Sequence, residues 1–86
     1  KCLQMIETIY DNCKSLNILE MRMYLRGEIL SFNVTDRNMS LDNKFYLYNL
    51  NSFLYFCNEF KDKETILSKM KSHCSKDFKN RYETAK

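Results

Sequence analysis

The chain has 86 residues, carries 14 Lys/Arg against 11 Asp/Glu for a net charge of +3, and contains one glycine, no proline and four cysteines. That length suits one domain, just above the size at which a single core needs cross-links or a partner. The modest charge and the lack of any reader motif argue against nucleic acid, and the near absence of proline and glycine removes the usual punctuation of β-sheet proteins.

The expected fold class is therefore all-α: one helical domain over residues 1–86, a small disulfide-stapled bundle of four helices in up-and-down order, with three helices as the alternative. The first helix is expected over about 2–16. Within "CLQMIETIYDNC", Cys2, Ile6, Ile9, Cys13 and Leu16 follow the alternating four- and three-residue spacing of one helical stripe, and Glu7, Asp11 and Lys14 lie off it. Both cysteines then face the core.

A second helix, about 18–32, is expected after Asn17. "NILE" offers Asn17 as an N-cap with Glu20 in the capping-box position, and Ile18, Met21, Leu25, Ile29 and Phe32 form a new stripe. The rival is one helix running through, because Leu16, Met23 and Leu30 extend the first stripe at seven-residue intervals. It would place Glu20 and Gly27 in the seam.

Residues 33–40, "NVTDRNMS", read as a polar loop holding two N-glycosylation patterns, with Asn33 and Asn38 as acceptors. Ser40 is placed to start the third helix, about 41–60. That segment carries seven of the twelve aromatic residues, so it is either the centre of the bundle or a helix with one face left for a partner. Asp62 is the expected N-cap of the last helix, about 63–84, with Leu67, Met70, Cys74, Phe78 and Tyr82 as its buried stripe. No apolar run approaches the length of a membrane span.

Four cysteines in a short chain suit an oxidising compartment, where each of two disulfides stabilises a fold by roughly 2–4 kcal/mol. Helical rise separates Cys2 from Cys13 by about 16 Å, beyond disulfide reach. Cys57 and Cys74 are offset by about 13 Å along the hairpin of the last two helices, by the same rise. Up-and-down order then pairs Cys2 with Cys74 and Cys13 with Cys57, whereas one long first helix pairs Cys2 with Cys57 and Cys13 with Cys74. A chain that begins at Lys1–Cys2 without a leader is what a mature secreted form or an excised domain would present.

No metal site or cofactor is expected. Zinc ligands come in close pairs, and here the only near neighbours are His73 and Cys74, which point apart on a helix. The same divergence argues against a Cys–His nucleophile, and no phosphate loop, serine elbow or isolated carboxylate pair appears, so no catalytic residue is assigned. His73 reads as a surface or boundary residue.

Two features point to a binding surface. Residues 61–86 carry eight Lys/Arg against four Asp/Glu, and residues 1–60 six against seven, so positive charge gathers on the last helix, where Lys69, Lys76 and Lys79 fit an anionic partner surface. Tyr46, Tyr48 and Tyr55 on the third helix are candidates for a protein-binding face, since exposed tyrosines beside basic residues have that composition. In its cysteines and its wealth of Asn, Lys, Tyr and Phe the chain resembles the small secreted effectors of parasites and blood-feeding animals and, more loosely, short helical cytokines. The expectation is a secreted, non-enzymatic interaction protein acting on an extracellular protein such as a host or immune component. A carrier of a small apolar ligand and an intracellular interaction domain with free thiols are the alternatives.

Overall fold

The computed structural model describes residues 2–32 and 39–78, with side chains over 3–32 and 39–73. These residues form four α-helices: α1 (Cys2–Cys13), α2 (Ile18–Ser31), α3 (Leu41–Glu59) and α4 (Lys63–Phe78). The reach of the last helix beyond 78 lies outside the described residues.

Side-chain caps set three of the starts. Asn17 Oδ1 accepts from the Glu20 amide at 2.9 Å while Glu20 Oε1 accepts from the Asn17 amide at 3.1 Å, the reciprocal pair expected of this tetrapeptide. Ser40 Oγ accepts from the Asn43 amide at 3.2 Å, and Asp62 Oδ2 accepts from the Thr65 amide at 3.0 Å and the Thr65 hydroxyl at 2.8 Å. The break at Asn17 also settles the rival seam, because Met23 and Leu30 are 64% and 82% exposed. The described residues hold four helices, not three.

Two expectations need correction. The first helix stops at Cys13 rather than 16, because the chain must turn into the Asn17 cap. The Leu16 amide closes that turn on the Cys13 carbonyl at 3.0 Å, and the Lys14 carbonyl accepts from Lys63 Nζ at 2.7 Å. Among the described side chains of α4 the fully buried ones are those of Ile66 and Met70, with Leu67 only half-buried. That helix packs against both α1 and α3, so its inward wedge is wider than the stripe drawn through Leu67.

α2 lies along α3, α3 against α4, and α4 against α1. Directions follow from particular contacts. Arg22 near the start of α2 meets the Cys57 carbonyl near the end of α3, and Phe32 after α2 meets Tyr46 early in α3 with ring centroids 5.7 Å apart, so the two helices run opposite. Tyr48 and Ser52 of α3 reach His73 in the second half of α4, which fixes the same relation there. The core is Ile6, Ile9, Cys13, Met21, Leu25, Phe45, Leu50, Phe53, Cys57, Ile66 and Met70. Among the described residues one polar side chain joins it, Asn49, fully buried. Its Nδ2 donates to the Phe45 carbonyl at 3.1 Å and to Met5 Sδ at 3.3 Å, while its Oδ1 has no partner among the described residues.

Candidate interaction surface

The aromatic residues of α3 divide by face. Phe45 and Phe53 point into the core at an eight-residue interval; Tyr46, Tyr48, Phe56 and Phe60 are half-buried, and Tyr55 is 58% exposed. Where α3 lies beside α4, Tyr48, Asn51, Ser52, Tyr55, Phe56 and His73 line an open groove of about 360 Å³.

His73 organises its floor. Its Nε2 lies 2.8 Å from the Tyr48 hydroxyl and 3.3 Å from Ser52 Oγ, its ring stacks on Tyr48 at 5.6 Å with a 22° interplanar angle, and Phe56 meets it edge-on at 5.7 Å. Tyr55 stands edge-on to Phe56 at 5.3 Å. Such perpendicular and offset contacts suit the quadrupoles of the rings and hold the walls in place. Beyond the residues that line the groove, one helical turn from His73 along α4 and from Phe56 along α3, Lys69 Nζ sits 5.5 Å from the centroid of the Phe60 ring, so an exposed cation is held beside an aromatic surface.

Of the residues expected at a binding face, Tyr48, Tyr55 and Lys69 lie along this α3–α4 side. Tyr46 does not. It packs on Phe32 and borders a separate groove with Gln4, Met5 and Thr8, and burial raises the pKa of its phenol. The side chain of Lys76, residue Lys79 and the acceptors Asn33 and Asn38 lie outside the described residues. Sequence reasoning missed Ser52, Phe56 and above all His73 as a floor residue. The spacing of His73 three residues past Met70 on the buried face of α4 was the available signal.

The cysteines divide likewise. Cys2 and Cys74 belong to α1 and α4, but their side chains lie outside the described set. Cys13 and Cys57 are free thiols here, both fully buried, and no bond joins them. Cys13 Sγ donates to the Ile9 carbonyl at 3.3 Å. Burial pushes the Cys13 thiol up to about 11, with Lys63 pulling it back. Burial and then charge on Cys13 push Cys57 up to about 11, against Arg22. A thiol held this way stays protonated at neutral pH and is a poor nucleophile.

Ser52 sits inside α3, where the backbone amides are taken by carbonyls four residues back, so no pair of backbone donors is left beside its hydroxyl to hold an oxyanion. The groove combines aromatic walls with a polar floor made by Ser52, the Tyr48 hydroxyl and His73. Among the described residues no three His, Cys, Asp or Glu side chains gather as metal ligands, and no helix is long and apolar enough to cross a membrane. No family model, curated protein or solved structure matches the chain.

Proposed function

We propose that this chain is a secreted, non-enzymatic interaction domain that binds another extracellular protein as a ligand or inhibitor. The observation that carries the reading is the α3–α4 side, where exposed Tyr55 stands with Tyr48, Phe56 and His73 beside Lys69. Tyrosines on rigid helices offer a large contact area at small entropic cost, and a basic rim steers an oppositely charged partner. Lys76 and Lys79 extend that positive charge along the sequence of the last helix.

Secretion rests on the cysteines and on Asn33 and Asn38 as glycan acceptors. Cys13 and Cys57 each lie in the final turn of a helix at the same end of the bundle, the order in which up-and-down helices bring them together. In the secreted form they pair, and Cys2 pairs with Cys74. Counting thiols in denaturant without reductant, on protein exported from a eukaryotic cell, tests this: zero is expected, and cleavage between Cys2 and Cys13 resolves the partners by mass. Four thiols would instead select an intracellular interaction domain, the reading that the free Cys13 and Cys57 of this structure favour. A carrier of an apolar ligand gains less support, since Phe45, Leu50, Phe53 and the aliphatic residues around them fill the interior.

A further inference from the structure

The geometry points to an acidic peptide segment carrying one aromatic side chain as the occupant of the α3–α4 groove, its ring between Tyr55, Phe56 and His73 and its carboxylates on the α4 rim. This deepens the proposed protein-binding role and rests on it. Three observations carry it.

The first is size and shape. A groove of about 360 Å³ is near the small end of ligand sites, enough for one side chain and its backbone. Its walls are already set at right angles, Tyr55 to Phe56 at 71° and Phe56 to His73 at 79°, so an entering ring meets one wall face-on and another edge-on.

The second is the floor. A ring nitrogen offers either one lone pair or one proton, yet two hydroxyls approach Nε2 of His73, and that of Tyr48 is the closer by half an ångström. Whichever tautomer holds, Ser52 Oγ keeps hydrogen-bonding capacity beyond its long contact with the imidazole. It can donate to a peptide carbonyl lying in the groove.

Charge is the third. Lys69 is exposed at the α4 rim with its ammonium over Phe60, and the helix and its tail carry the positive excess of the chain. On the α3 side Glu59 is exposed one helical turn past Tyr55, likewise beyond the residues that line the groove. Carboxylates of the ligand are therefore favoured on the α4 side and repelled on the α3 side, which orients the segment as well as attracting it.

The test uses the whole protein and a synthetic peptide of one phenylalanine flanked by two glutamates on each side, titrated by NMR. Saturable shifts at Tyr48, Tyr55, Phe56 and His73 are expected. Lys69→Glu should weaken binding about fivefold, the scale of one partly exposed charge pair, and added salt should weaken it further. Replacing the peptide's phenylalanine with alanine should abolish saturation. A lysine-flanked peptide that binds equally well, saturation with shifts elsewhere, or no saturable binding each overturns the assignment. An extracellular partner bound equally by the native protein and by a folded Tyr55→Ser, Lys69→Glu variant overturns the groove and leaves the binding function standing. Peptide binding by a protein that proves to hold four free thiols upholds the groove and removes the secreted role.

Discussion

The two ends of the bundle are built differently. At one, α1 and α3 finish and α2 and α4 begin, and side chains meet five of the backbone groups left open there. Asn17 and Glu20 cap each other's amides, Asp62 caps α4, Lys63 covers the Lys14 carbonyl, and Arg22 donates through Nε and Nη2 to the Cys57 carbonyl at 3.2 and 3.1 Å. Toward the other end Ser40 caps α3, Leu30 and Leu41 lie exposed, and the buried Oδ1 of Asn49 has no partner. The difference teaches that helix ends are best fixed where two chain reversals sit side by side, since a cation from one hairpin can then close a carbonyl of the other.

The largest expected effect follows from the two buried thiols at the capped end. Their folded pKa values lie near 11 against an ordinary 9.0, so they favour folding fully below pH 9, and that contribution is lost as pH rises through 11. At about 1.4 kcal/mol per unit the pair should cost the reduced protein a few kcal/mol over that window. Thermal melts between pH 8 and 11 would register it. Protein with Cys13 and Cys57 joined has no thiol there to ionise and should lose clearly less over that window, keeping only what the raised phenols of Tyr24 and Tyr46 contribute, so an equally steep loss in such a sample would refute the assignment to these residues.

Cap removal comes next. Asn17→Ala should lower stability by about 1–2 kcal/mol, because the Glu20 amide loses its acceptor and the remaining bond from the residue 17 amide to Glu20 Oε1 loses the reciprocal partner that orders it, and Ser40→Ala, which removes one longer bond, by about half as much. Urea unfolding of both variants ranks them; equal losses would erase the contrast between the ends.

Asn49 works in the opposite direction. Asn49→Leu removes an unpartnered oxygen from the core, keeps the branched four-atom shape of the side chain with a somewhat larger volume, and should leave stability unchanged or raise it by up to about 1 kcal/mol. A loss of several kcal/mol in the same urea assay would mean that Oδ1 has a partner after all. The smallest effect is expected at Leu30, 82% exposed, where Leu30→Ser should change stability by less than about 0.5 kcal/mol. A larger drop in melting temperature would show that something covers it.

What could be read in the sequence follows the range of the interaction. Asn17, Ser40 and Asp62 are legible as caps because a cap is decided within four residues. The stripes of α1 and α2 are legible for the same reason, since spacing alone orders Ile6, Ile9 and Cys13 or Met21 and Leu25 on one face. In α4 spacing permits two stripes through Met70, and only packing against two neighbours at once selects Ile66 over Leu67. Asn49 stands at the four-residue interval of Phe45 and Phe53, but its polarity hid it. The groove was least visible, because Tyr48 and His73 lie 25 residues apart and meet only once α3 and α4 have been laid side by side.

The nesting of the helix pairs also fixes an order of assembly. α2 with α3 and α3 with α4 are neighbours both in space and along the chain, so each pair can come together by closing a short connection, whereas α1 and α4 are separated by the two helices between them. Joining α1 to α4 freezes a far longer loop, and that entropy is more easily met once the hairpins already hold the intervening chain. Pulse-labelled hydrogen exchange should find the amides of α1 protected after those of α3 and its two partners. The clasp between Lys63 and Lys14, which spans 49 residues, should form among the last contacts.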